Sequence, residues 1–203
     1  MEKFLNALSK PAKWIFVIGG FFYATWFAIM TATGFGNGFV SVIVSLVIMT
    51  IGTALLVAAP LLVLLKKDNA GKMVFLFLLG YWVLTTIQNW LGNSAGLVES
   101  NDGLAIVAGL FSFIAGLGVV AVLVLTVLEL ILKKPALRFV SFLVFLGVII
   151  VGFFAGLFLV ILSGMNNAFW PSGIQFLIQY MILPIIICFG YIYFMGLPNK
   201  KQD

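Results

Sequence analysis

Six long apolar runs, separated by short polar segments, constrain this chain more than any other feature. They are residues 14–33, 39–65, 73–91, 104–132, 139–162 and 174–195. Each is close to or above the roughly 20 residues that a helix needs to cross the hydrocarbon core of a bilayer. With 64% of residues hydrophobic and 8% charged, a soluble fold could not bury the apolar surface. The sequence therefore predicts an all-α polytopic membrane protein, a bundle of six transmembrane helices in which residues 1–203 form a single transmembrane domain.

The basic residues predict which way this bundle is oriented. All 11 lie before the first run, after the second and fourth runs, or after the last one. They are Lys3, Lys10, Lys13, Lys66, Lys67, Lys72, Lys133, Lys134, Arg138, Lys200 and Lys201. Short loops rich in lysine and arginine stay on the cytoplasmic side of a membrane. We therefore expect both termini in the cytoplasm and a location in the plasma (inner) membrane.

The runs also divide into three similar helical hairpins. Each hairpin begins at a basic end, turns through a glycine- and asparagine-rich segment, and returns to a pair of lysines. The inner ends LLVLLKKD, from Leu61, and LELILKKP, from Leu128, resemble each other closely. Two interpretations remain open: duplication of a hairpin, or the same order of segments imposed by the membrane alone.

Small residues predict where these helices approach one another. In lipid, helices pack through small side chains that bring the backbones close. Such residues recur at four-residue spacing in the first run (Gly20, Ala24, Ala28, Ala32), the fourth (Ala108, Ser112, Gly116, with Ala105 and Gly109) and the fifth (Gly152, Gly156). We expect these faces to be buried within the chain, with a seam between copies of a homo-oligomer as the alternative.

The residue types that usually carry enzyme chemistry are nearly absent. The chain has no histidine, and only one of its six acidic residues lies within an apolar run. No phosphate-binding loop, dinucleotide glycine pattern or zinc-protease motif occurs. We therefore expect no enzymatic activity, no metal site and no cofactor. The net charge of +5 comes from the loop lysines, which predicts contact with membrane lipids and not with nucleic acid.

Glu129 is that one acidic residue, and a charge inside a membrane is by default a functional candidate. Lys133 follows four residues later, in the order that favours an ion pair along one helix face. The two interpretations are a structural Glu129–Lys133 pair near the cytoplasmic edge, and a contact with an ion, a gate or a partner.

Pro60 and Pro184 lie inside the second and sixth runs. Each removes the backbone donor for the carbonyl four residues earlier, at Leu56 and Tyr180. We expect kinks at both positions. Such breaks mark moving gates or substrate sites in some transporters, and static bends in many other membrane proteins.

Neutral polar and aromatic residues collect near the predicted outer ends of the helices. If they converge, they form an outward-opening pocket suited to an uncharged or zwitterionic small molecule. The alternative is an ordinary aromatic belt, with amides capping helix ends. The candidate binding residues are Tyr23, Trp26, Gln88, Asn89, Trp90, Gln175, Gln179 and Tyr180.

Two classes of function follow from these features. The first is transport: binding or passage of a neutral or lipophilic solute, by this chain alone or as the membrane subunit of a larger transporter. The second is a non-catalytic accessory, assembly or scaffold subunit whose lysine-rich inner loops contact a cytoplasmic or membrane partner, or anionic lipid headgroups.

Overall fold

The computed structural model describes residues 2–33, 39–89, 102–165 and 173–196, and nearly all of them are helical. The elements are α1 (Glu2–Thr33), α2 (Phe39–Leu64), α3 (Asp68–Asn89), α4 (Gly103–Leu132), α5 (Pro135–Met165), α6 (Ile174–Leu177), a π-helical segment (Ile178–Ile182) and α7 (Leu183–Gly196). The described part of every predicted apolar run is almost entirely helical, and the all-α prediction is confirmed for these residues.

Four stretches are long and apolar enough to cross a membrane, among the described residues. They are Asp68–Ile87, Gly103–Leu132, Ala136–Met165 and Ile178–Met195. Helix α2, Phe39–Leu64, is 26 residues long and consists mostly of apolar residues. Large apolar side chains such as Leu117, Ile150 and Phe153 are exposed, as expected for helices that face lipid. These helices are consistent with a membrane protein; six crossings in three hairpins remain a prediction.

The residues fall into two compact units. We call Met1–Tyr81 with Phe189–Asp203 the terminal unit, and Trp82–Cys188 the central unit. The core of the terminal unit contains the rings of Phe16, Phe75 and Phe194, whose centroids lie 5.1 to 5.7 Å apart. Gly190 lies against Phe16 and Phe75, so the absence of a side chain there lets α7 approach both rings.

Within the terminal unit, α1 packs on α2 at Pro60. A Cβ atom added at Gly20 would lie 2.6 Å from Pro60 Cγ and 3.2 Å from the carbonyl oxygen of Leu56. Helix α2 continues through Pro60 to Leu64. Gly20 and Ala24 are buried as the small-residue pattern predicts, whereas Ala28 is exposed. The side chain of Ala32 lies outside the described residues.

Within the central unit, α4 and α5 pack along one another. The small-residue face of α4 is buried, as predicted: Ala105, Ala108, Gly109, Ser112 and Gly116. On α5, Gly152 and Gly156 are buried as well. Ala105 and Ala108 of α4 pack against Leu159 and Leu162 of α5, whereas the two glycines of α5 lie against Tyr180.

The two similar lysine pairs form similar turns. Lys66, shortly after α2, has a φ of 58°, and Lys133, directly after α4, has a φ of 52°. Both values are in the left-handed region, which residues with a Cβ atom seldom adopt. All four lysines of the two pairs, Lys66, Lys67, Lys133 and Lys134, are exposed. The likeness of the two sequences is thus matched by a likeness of backbone.

Candidate functional site

A cavity in the central unit is the candidate site. It holds about 410 Å³ of empty space, the part open to the surroundings included. Residues of α3, α4, α5, the π-helical segment and α7 line it: Trp82, Thr86, Ser112, Ala115, Gly116, Val119, Val148, Gly152, Gln179, Tyr180 and Pro184. None of these eleven residues is Asp, Glu, Lys or Arg, so the wall is neutral.

One side of the cavity is the π-helical segment and its proline. The N–H of Leu183 donates to the carbonyl of Ile178, five residues earlier. In an α-helix this N–H would instead donate to the carbonyl of Gln179. Pro184 has no N–H that could donate to the carbonyl of Tyr180. The carbonyls of Gln179 and Tyr180 therefore lack their regular helical donors. Single π-helical turns of this kind occur frequently at functional sites.

Two glycines of α5 admit this irregular segment. A Cβ atom added at Gly152 would lie 2.8 Å from the Tyr180 carbonyl oxygen, and one at Gly156 would lie 3.1 Å from Tyr180 Cβ. The Gly152 backbone therefore lies directly against a carbonyl whose α-helical donor position is occupied by Pro184. A glycine Cα–H is a weak hydrogen-bond donor, which suits this contact.

Hydroxyl groups and aromatic rings form much of the remaining wall. The Thr86 hydroxyl donates to the Trp82 carbonyl oxygen over 2.7 Å. The buried Ser112 and the Tyr180 side chain approach each other through their hydroxyls. The Trp82 ring stacks on Phe145, with centroids 6.2 Å apart and planes at 16°. The cavity thus combines aromatic surface with polar groups that carry no charge.

The structure brings together some of the predicted binding residues. Gln179 and Tyr180 line the cavity, together with the predicted break at Pro184. Tyr23, which is buried, and Trp26, which is half-buried, belong to the terminal unit. The side chains of Gln88, Asn89 and Gln175, and all of Trp90, lie outside the described residues.

Several lining residues were not predicted as binding residues. Ser112, Gly116 and Gly152 were predicted as packing positions, and Trp82 as part of an apolar run. A polar hydroxyl within an otherwise small and apolar stripe is the one signal that could have singled out Ser112. Nothing in the local sequence distinguishes Trp82 from a lipid-facing or core tryptophan.

The predicted partner of Glu129 requires a correction. Glu129 Oε1 accepts a hydrogen bond from Arg138 Nε over 2.8 Å, and the two side chains are 5% and 28% exposed, respectively. Lys133 is exposed and adopts the left-handed conformation that ends α4, with its backbone N–H donating to the Glu129 carbonyl. Since the chain turns there, α5 returns along α4 and brings Arg138 to the carboxylate instead.

Among the described residues, no group of three or more His, Cys, Asp and Glu side chains could hold a metal ion. Comparisons with protein-family models, with curated proteins and with solved structures found no match for this chain.

Proposed function

We propose that this chain is a six-span protein of the plasma (inner) membrane, with both termini in the cytoplasm, that binds a small neutral or lipophilic molecule in the central-unit cavity. Binding serves transport, either by this chain alone or as the membrane subunit of a larger transporter. The one-sided placement of all 11 basic residues supports the topology. The cavity beside the π-helical segment supports binding.

The position of the cavity fits entry from outside. In the proposed orientation, α3 ends and α4 begins at the outer surface. Thr86 lies near the last residue of α3, Asn89, and Ser112 lies in the first half of α4. In this orientation the cavity extends from the outer part of the central unit to about the middle of α4 and α5, where Val119 and Val148 lie. A lining without Asp, Glu, Lys or Arg favours an uncharged occupant. An ion that entered the cavity would lose part of its hydration and would meet no residue of opposite charge.

Thiol labelling tests whether the cavity is open to the outside. The native Cys188 is buried, and Cys188→Ser gives a background without cysteine. Ala115 lines the cavity, whereas Ala108, two turns earlier on α4, is buried against Leu159 and Leu162. A small water-soluble thiol reagent added outside intact cells should modify Ala115→Cys and leave Ala108→Cys unmodified.

The matched alanines make the result decisive. Both substitutions add one sulfur atom to a buried position of the same helix, so general loosening of the fold would expose both. Equal labelling rates, or no labelling of Ala115→Cys, would contradict an outward-open binding cavity. If Ala115→Cys is modified, small molecules extracted from the purified wild-type protein should be depleted in Gln179→Leu, as mass spectrometry can measure.

The exposed lysine turns favour the second candidate function, an accessory or scaffold subunit. Lys66 and Lys133 are held in a left-handed backbone conformation that glycine would adopt more easily, with a second exposed lysine beside each. A specific partner held by this charge should copurify with the wild-type protein and be lost when the four lysines of both turns are changed to glutamine. Retention of the partner in that variant would contradict docking through the turns.

A further inference from the structure

The polar groups of the cavity include groups that can only accept hydrogen bonds, which its lack of charge does not by itself indicate. Thr86 uses its only hydroxyl hydrogen on the Trp82 carbonyl, at 2.7 Å. Its oxygen therefore remains available to a ligand only as an acceptor. This oxygen therefore favours a ligand that donates a hydrogen bond.

The backbone adds acceptors of the same kind. The carbonyls of Gln179 and Tyr180 have lost their regular helical donors, to the Leu183–Ile178 hydrogen bond and to Pro184. A carbonyl can only accept a hydrogen bond. The Tyr180 carbonyl faces the Gly152 backbone, which offers only a weak C–H donor. A ligand N–H or O–H group would be a stronger partner.

The other lining groups do not reverse this balance. The hydroxyls of Ser112 and Tyr180 and the amide of Gln179 can both donate and accept. Among the eleven lining residues, Trp82 alone has a side chain that can only donate. Thr86 Oγ1 and the carbonyls of the lining residues Gln179 and Tyr180 can only accept, whereas this one side chain can only donate. The rings of Trp82 and Tyr180 supply flat apolar surface beside them.

We infer that the cavity selects neutral, flat molecules that donate hydrogen bonds through an N–H or O–H group. This inference rests on the proposed function, because it names the class of solute that the same cavity takes. It excludes anions, and it excludes apolar solutes that carry no donor.

Matched pairs of small aromatic probes test this selectivity: indole and 1-methylindole, phenol and anisole, benzamide and N,N-dimethylbenzamide. Each pair differs in whether the donor is present or methylated. The readout is protection of Ala115→Cys, in the Cys188→Ser background, from the thiol reagent at equal free aqueous concentration. We expect the donor member of a pair to protect at about tenfold lower concentration, the scale of one good hydrogen bond. Methylation favours entry into lipid, so membrane partitioning alone gives the opposite order.

Two threonines provide a matched control for the origin of the selectivity. The hydroxyls of Thr85 and Thr86 both donate to the Trp82 carbonyl, at 3.0 and 2.7 Å, but only Thr86 lines the cavity. Thr86→Val should reduce the preference for donors to about threefold, whereas Thr85→Val should leave it unchanged. The comparison of probe pairs without either substitution is independent of how well these variants fold.

The outcomes separate the inference from the proposed function. If Ala115→Cys is never labelled, the outward-open cavity itself is contradicted. If it is labelled but methylated probes protect as well as their donor twins, or no probe protects, the cavity is open and the inferred selectivity is wrong. Protection by the donor members alone, weakened by Thr86→Val and not by Thr85→Val, supports the inference.

Discussion

Replacing Arg138 by glutamine should destabilise the fold more than replacing its partner Glu129. The carboxylate is 5% exposed and the guanidinium 28%, with 2.8 Å between them. In Arg138→Gln the carboxylate stays buried without its cation, and breaking a buried pair from one side costs about 3 to 5 kcal/mol. The partial exposure of Arg138 places the expected loss at the lower end, about 3 kcal/mol. In Glu129→Gln the guanidinium can turn toward water, so we expect a loss of about 1 kcal/mol.

The assay is the free energy of unfolding of the purified protein in mixed micelles titrated with a denaturing detergent. The double variant Glu129→Gln/Arg138→Gln should be more stable than Arg138→Gln alone, because it removes the uncompensated charge. Lys133→Gln is the control and should change stability by no more than about 0.5 kcal/mol, since Lys133 is exposed. Equal losses for Glu129→Gln and Arg138→Gln, or a loss for Lys133→Gln as large as that for Arg138→Gln, would refute the reasoning.

Three further substitutions can be measured in the same unfolding assay. Gly152→Ala would place a methyl group 2.8 Å from a carbonyl oxygen and should lower the free energy of unfolding by about 1 to 3 kcal/mol. Gly147 lies on the same helix and has no neighbour within 4 Å, so Gly147→Ala should not destabilise the protein. Equal effects of the two substitutions would contradict the close contact at Gly152. Tyr193→Phe removes the hydroxyl that donates to Asp68 Oδ1 at 2.8 Å and should cost about 1 kcal/mol, since the exposed Asp68 regains water; no loss would mean that this bond adds nothing. Lys133→Gly relieves a left-handed backbone and should raise stability by about 1 kcal/mol, and a loss would indicate that the lysine side chain itself stabilises the turn.

The positions of the helices follow from hydropathy because the apolar runs are long and the breaks between them are polar. The predicted run 104–132 corresponds to the helix Gly103–Leu132, and the predicted run 174–195 is helical from Ile174 to Gly196. Hydropathy does not predict that the latter contains a π-helical turn. A proline indicates where a backbone donor is missing. Whether the hydrogen bonds of the helix then change from i→i+4 to i→i+5 depends on the helices that pack beside it.

The candidate site was only partly predictable for a related reason. Gln179 stands out because an amide inside an apolar run needs a polar partner or a cavity. Trp82 and Gly152 do not stand out, because cavity walls depend on where neighbouring helices leave space. Polarity also fixes only the height of a residue along a helix and not the direction it faces. Polarity alone therefore groups Tyr23 and Trp26 with Gln179, although they belong to the terminal unit.

Pro60 and Pro184 differ in the helix geometry that surrounds them. At each, a glycine of another helix packs against the carbonyl that lost its donor: Gly20 for the carbonyl freed by Pro60, and Gly152 for the one freed by Pro184. This arrangement fits a membrane interior, where a freed carbonyl has no water and needs a close neighbour. At Pro60 the helix remains α-helical to Leu64. At Pro184 the π-helical turn also removes the α-helical donor of the Gln179 carbonyl, and both Gln179 and Tyr180 line the cavity. The surroundings of Pro184 therefore differ from those of Pro60 in combining the glycine contact with a π-helical turn and a cavity, and this combination is the basis of the proposed binding site.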